Sequence, residues 1–101
     1  MESGEIVSVL GALAQETRLE VFRQLVQAGP GGLSAGEIAK RLEIPAPTLS
    51  FHLRSLLHAR LVSSERDGRS LIYAADFSVM GELMGFLTRN CCTGTSDAPL
   101  E

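Results

Sequence analysis

The stretch from Ser34 to Tyr73 limits the fold of this chain more than any other part of it. It opens with Ser34-Ala35-Gly36-Glu37-Ile38-Ala39-Lys40-Arg41-Leu42. Ser34 with Glu37 three residues on is a capping box, in which each side chain satisfies a backbone N–H of the first helical turn. Glu43-Ile44-Pro45 ends that helix. Pro47 suits the first turn of the next, where its missing N–H would be unpaired anyway. Leu49, Leu53, Leu56 and Leu57 then fall at i, i+4, i+7 and i+8, which predicts one buried helical face. Thr48, Ser50, Phe51, His52, Arg54 and Ser55 are left for the outside. Next comes Arg66-Asp67-Gly68-Arg69, flanked by Leu61–Glu65 and Ser70–Ala74, which have strand composition. Asp-Gly is a strong signal for a two-residue hairpin turn, because the favoured turn needs positive φ at both central positions. Two helices across a tight turn, followed at once by a hairpin, make a winged helix-turn-helix. The expected fold is therefore mainly α with one β-hairpin.

The outward groups suit nucleic acid. Small hydroxyls, His and Arg are the side chains that read base edges and hold phosphates in a major groove. Thr48, Ser50, His52, Arg54 and Ser55 are the candidates on the second helix. Arg66 and Arg69, at the hairpin tip, are suited to a minor groove or the adjacent backbone. Two solvated arginines on a loop are common, and only the helix-turn-helix upstream lifts the DNA reading above that. The net charge of −3 is unevenly spread. Ser34 to Arg69 carries +2 and the remainder −5, so the basic part is the part assigned to DNA. So small a positive balance favours presenting two such surfaces at once.

The ends of the chain supply a way to do so. Ile6, Val9, Leu10 and Leu13 form one apolar helical stripe, and Val79, Met80, Leu83, Met84 and Leu87 form another. A chain of 101 residues makes one small domain with a modest core, which does not obviously need both. Gly81 and Gly85 each cost about 1 kcal/mol in a helix relative to alanine. Close approach of another helix, from the same chain or a second copy, would offset that. Between the stripes, Glu16 to Ala28 reads as a core helix with Leu19, Phe22, Leu25 and Val26 inward, stopped by Gly29-Pro30.

The chain resembles the ArsR/SmtB family of metalloregulatory repressors over nearly its whole length. The resemblance is carried by Leu13-Ala14-Gln15-Glu16-Thr17-Arg18-Leu19-Glu20-Val21-Phe22 and by Leu49-Ser50-Phe51-His52-Leu53-Arg54-Ser55-Leu56. It continues through Ala59-Arg60-Leu61-Val62, Arg66-Asp67-Gly68-Arg69 and Tyr73. It implies a homodimer through the two terminal helices and an imperfect inverted-repeat operator in double-stranded DNA. Arg60 departs from the family's usual glycine, which implies either a mildly strained helix cap or a different ending.

Asn90-Cys91-Cys92-Thr93-Gly94 holds the only two cysteines. Adjacent Cα atoms lie about 3.8 Å apart across a trans peptide, below the usual disulfide range of about 4.4–6.8 Å, so an intrachain ring would be strained. Zinc takes four ligands, and the two histidines, His52 and His58, lie far away along the chain. The family's histidine- and carboxylate-rich site is also missing, since Ser78, Arg89 and Cys92 occupy its positions. Adjacent thiolates suit a soft centre such as trivalent arsenic or antimony. Incidental cysteines are the competing reading, and a redox or persulfide sensor is the alternative. Family members with Asn-Cys-Cys at the end of the last helix carry a third cysteine six residues on, where this chain has Ala98. Two thiolates complete an organoarsenical, already bonded to carbon, at least as well as they hold arsenite.

Residues 1–92 are thus expected to form the DNA-binding domain with its dimerisation helices, and 93–101 a flexible tail. No glycine-rich phosphate loop or paired catalytic carboxylate is present, so neither an enzyme nor an organic cofactor is expected. No apolar run approaches the roughly 20 residues of a membrane span, and no leader is recognisable. The expected location is the cytoplasm.

Overall fold

The computed structural model describes residues 1–94. It runs α1 (Ser3–Leu13), α2 (Glu16–Ala28), a 3-10 turn (Gly29–Gly31), β1 (Leu33–Ser34), α3 (Ala35–Leu42), α4 (Ala46–His58), β2 (Val62–Asp67), β3 (Ser70–Ala75) and α5 (Phe77–Thr88). The capping box forms as predicted. The Glu37 amide donates to Ser34 Oγ at 3.2 Å, and the Ser34 amide donates to Glu37 Oε1 at 2.9 Å. Those bonds hold the Glu37 carboxyl below its ordinary pKa, the backbone amide of Ser34 contributing most. Pro45 caps α4 and Pro47 lies in its first turn.

The end of α4 explains the missing family glycine. Arg60 itself adopts the left-handed conformation, with φ 65°. Its amide donates to the Leu57 carbonyl and the Leu61 amide to that of Leu56, both at 3.0 Å. These two crossed bonds are the Schellman cap, normally served by glycine. Leu61 is thereby turned fully into the core.

The hairpin pairs β2 with β3 from Val62↔Ala75 to Asp67↔Ser70. The turn therefore consists of Gly68-Arg69, one residue later than Asp-Gly predicted. Only Gly68 of the two has positive φ, at 65°. A glycine at the first central position serves the alternative mirrored turn, which leaves Asp67 in the strand. The sequence did not reveal β1, whose two residues pair with β3 to give the order β1-β3-β2. Two residues carry no periodicity. Gly32 makes that pairing possible: it has φ 69°, and a Cβ there would collide with the Tyr73 carbonyl.

The core joins all five helices to the sheet. Val21, Leu25, Ile38, Leu49, Leu53, Leu56 and Leu61 are its fully buried members. On α2, Phe22 and Leu25 face inward as expected and Val26 is half-buried. Leu19 does not; it is 44% exposed, and Val21 takes the inward place. Two residues along a helix turn the side chain through about 200°, so Leu19 and Val21 cannot share a face. Leu83, in the middle of the α5 stripe, is not surplus to this chain's own core. With Ile6, Val9 and Val79 it is buried in this chain's own core. The large apolar residues left outward on α1 and α5 are Val7, Leu10, Phe77, Met84 and Leu87. Gly81 and Gly85 are exposed, and a Cβ on either would meet nothing within 4 Å. They do not pack against a helix of the same chain. Among the described residues no helix is long and apolar enough to cross a membrane. Ala98 and the rest of the tail from 95 to 101 lie outside the described residues.

Candidate functional site

The helix-turn-helix fixes α4 by burying Leu49, Leu53 and Leu56 and leaves its other side open. Thr48, Ser50 and Arg54 are exposed there. Ser55 is half-buried, and its hydroxyl donates to the Phe51 carbonyl at 3.3 Å. Phe51 is 55% exposed. With Arg54 and Ser55 it borders an open groove of about 820 Å³, whose opposite side is Ser8, Gly11 and Ala12 of α1. Arg66 and Arg69 are exposed at the hairpin tip. The structure thus places five of the predicted residues on two exposed elements, with Ser55 partly turned in. Lys40 and Arg41, in the last turn of α3, add exposed cations.

His52 is not on that face. It is 8% exposed, within the core side of α4. The spacing explains this: His52 lies three residues after Leu49 and four before Leu56, so it shares their stripe. Arg18 Nη1 lies 3.5 Å from His52 Nδ1, at the outer limit of a hydrogen bond. Burial lowers the pKa of His52, and the Arg18 charge lowers it further. Arg18 has only donors, so in this contact Nδ1 is the acceptor. Arg18 Nε also donates to the Ala12 carbonyl at 2.7 Å, and its backbone amide donates to Gln15 Oε1 at 2.8 Å. One arginine therefore joins the end of α1, the start of α2 and the middle of α4. Sequence reading gave Arg18 no role. Nothing in its neighbourhood marked it, since Glu16, Thr17, Glu20 and Arg23 make Arg18 one of several polar residues on the same helix.

Cys91 and Cys92 are exposed, with their sulfurs 2.8 Å apart. The Cys91 pKa is raised, first by its hydrogen bond with Cys92 and then by desolvation. The thiols lie beyond the last turn of α5 rather than within it, because the helix stops at Thr88. The Cys91 amide donates back to the Thr88 carbonyl at 2.9 Å. Asn90 and Cys92 take left-handed backbone angles, with φ 60° and 67°, which turn the chain away from the helix axis. Just before them the Arg89 guanidinium lies 4.7 Å from the centre of the Phe86 ring. Among the described residues no group of three or more His, Cys, Asp or Glu is arranged to hold a metal.

A capped helix-turn-helix, an arginine-tipped hairpin and an outward helix of hydroxyl and guanidinium groups define the winged-helix class of regulators. Residues 13–65 match the helix-turn-helix domain family. The chain is similar to the HTH-type transcriptional regulator KmtR of Mycobacterium tuberculosis, at 38% identity over 67% of its own length. That alignment spans only 50% of KmtR. It is 27% identical to an arsenical resistance operon repressor of Staphylococcus aureus, over 83% of this chain and 78% of that one. Among solved structures, an ArsR-like transcriptional regulator from Rhodococcus sp. RHA1 superimposes with a TM-score of 0.77. That pair is 32% identical over 86% of this chain and 79% of the other. The chain belongs to the ArsR/SmtB family of helix-turn-helix transcriptional regulators, a family of regulators rather than enzymes.

Proposed function

We propose that the protein is a homodimeric repressor that binds an imperfect inverted repeat in double-stranded DNA and releases it when Cys91 and Cys92 capture trivalent arsenic or antimony. The observation that carries the DNA half is the joint exposure of Thr48, Ser50 and Arg54 on α4 and of Arg66 and Arg69 on the hairpin. The hydroxyls of Thr48 and Ser50 address bases, and Arg54 with the hairpin arginines addresses phosphates. Two-fold pairing would set two copies of α4 about one DNA turn, roughly 34 Å, apart. The exposed residues Val7, Leu10, Met84 and Leu87 supply the surface for that pairing.

The sensing half rests on the thiol pair. Once one sulfur has bound arsenic, adjacency gives the second a high effective concentration. A redox sensor wants an accessible thiolate of low pKa, and Cys91 is shifted the other way. Arsenic would be held by both sulfurs as thiolates, the two thiol protons leaving as water with two hydroxides displaced from arsenic. Release requires a ligand that prefers the non-binding arrangement, since equal affinity for both shifts nothing. A ring closed over Cys91 and Cys92 would reset the left-handed turn after α5, next to the proposed subunit contact.

The test is DNA binding with arsenite, methylarsenite, zinc and peroxide in parallel, with the protein weighed by native mass spectrometry. Methylarsenite should add one adduct per chain and release DNA at lower concentration than arsenite. Cys91→Ser and Cys92→Ser should each keep DNA binding and lose the response. A doubly substituted protein that still releases DNA with arsenicals would place the sensor elsewhere. Release by peroxide alone would favour the redox alternative.

A further inference from the structure

Phe51 is the large apolar side chain that α4 leaves in solvent, at 55% exposure. It follows Ser50 and precedes Arg54 by three residues, so it stands among the groups assigned to DNA. It is not mobile filler for the core: its ring meets His52 edge-on, with centroids 5.6 Å apart and planes at 64°. His52 is itself buried and held by Arg18. The base of the phenyl ring is therefore supported from below while its outer half stays bare.

A phenyl ring has no hydrogen-bonding atom. Of the features that base pairs present in the major groove, the one it can use is the C5-methyl of thymine. Ser50 and Arg54 address polar atoms, and Thr48 has one small methyl of its own, so the phenyl ring is the larger apolar surface on this face. We propose that Phe51 is a specificity-determining residue that packs on the C5-methyl of a thymine in each half-site. This rests on the DNA reading above, and the experiment separates the two.

Duplexes selected by the wild-type dimer from a random pool are re-measured with each thymine replaced, one at a time, by deoxyuridine. Only a methyl group is removed. At one position per half-site the affinity should fall about fourfold, as for unburying one methyl-sized group at ~0.8 kcal/mol. Elsewhere it should not change. Phe51→Ala should bind the thymine and uracil duplexes alike, while Arg69→Ala, weaker overall, should keep the fourfold preference. Circular dichroism and sedimentation check that Phe51→Ala is folded and dimeric. If wild type binds the selected duplexes but ignores every replacement, Phe51 reads no methyl although the DNA reading stands. If Phe51→Ala keeps the preference, another side chain makes the contact. A monomeric Phe51→Ala would assign the ring to the subunit contact instead. Failure to select any duplex would remove both proposals.

Discussion

The segment from Leu33 to Ala75 and the pair of terminal helices solve the same problem differently. In the segment, α4 buries Leu49, Leu53 and Leu56 with Leu57 half-buried, β1 finds a partner strand, and Glu37 and Arg60 close the start of α3 and the end of α4. In α1 and α5 only one side of each helix is used. Ile6, Val9, Val79 and Leu83 are buried, whereas Val7 is 67% exposed and Met84 56%. Gly81 and Gly85 open onto empty space. Stability thus sits in the centre, and the ends hold apolar surface in reserve. Apolar surface left exposed on two helices that touch each other suits an association site.

Neighbouring residues of α5 give the sharpest way to break this contrast. Leu83→Glu puts a charge in the chain's own core, which costs several kcal/mol against a total stability of about 5–15. It should abolish the cooperative thermal transition in circular dichroism. Met84→Glu, one residue along, should leave that transition within a few degrees of wild type. Sedimentation should nevertheless find it monomeric. A Met84→Glu dimer would mean that the reserve surface lies elsewhere.

Arg18 tests whether the two regions are mechanically separate. Arg18→Ala removes charge-assisted bonds to the Ala12 carbonyl and His52, worth about 2 kcal/mol. Urea midpoints should drop accordingly, with the dimer retained. An unchanged midpoint would show that α1 and α4 are held by apolar packing alone.

A smaller effect comes from pH. The folded protein holds His52 below its ordinary value of 6.5, by burial first and the Arg18 charge second. The unfolded chain therefore binds the extra proton more readily. The His52 contribution is complete above about pH 6.5 and is lost as pH falls through the lower, folded value. Urea midpoints measured between pH 7.5 and pH 5, as working conditions chosen around that titration, should decline in wild type and flatten in His52→Gln. Equal slopes would remove His52 as the titrating group.

Arg60→Gly should have the smallest effect and the opposite sign. Left-handed backbone costs an L-residue roughly 1–2 kcal/mol, part of which glycine returns as unfolded-state entropy. A gain of about 0.5–1 kcal/mol in chemical denaturation is expected. A loss would mean that the Arg60 side chain contributes more than its backbone costs.

Much of the central segment was legible because its signals are local. The capping box, the proline at the start of α4 and the leucine spacing each act within one or two turns. The strand assignments held as well, but the turn slipped by one residue because Asp-Gly and Gly-Arg both supply a permitted glycine. β1 could not be seen, since two residues become a strand only when β3 lies beside them. His52 was misplaced although its spacing from Leu49 and Leu56 was available. Its chemistry suggested the outside, and only the distant Arg18 makes its burial tolerable. The same limit applied to α5, where the stripe Val79–Leu87 does not say which half faces its own chain. The cysteines were legible as a pair but not as a turn beyond the helix, because Asn90 and Cys92 carry no glycine to mark their left-handed angles.

The hairpin has one more consequence. β2 is the outer strand of its sheet, and Ser63 to Asp67 are all exposed along it. Such a rim is an open invitation to strand pairing between molecules, which nature discourages with charge. Here Glu65, Arg66 and Asp67 stand in a row of alternating sign after two serines. A molecule made sticky at its helical ends must not also be sticky at its wing, or it would grow into chains instead of stopping at two. Arg66 thus charges the open edge of the sheet as well as supplying the DNA contact proposed for it.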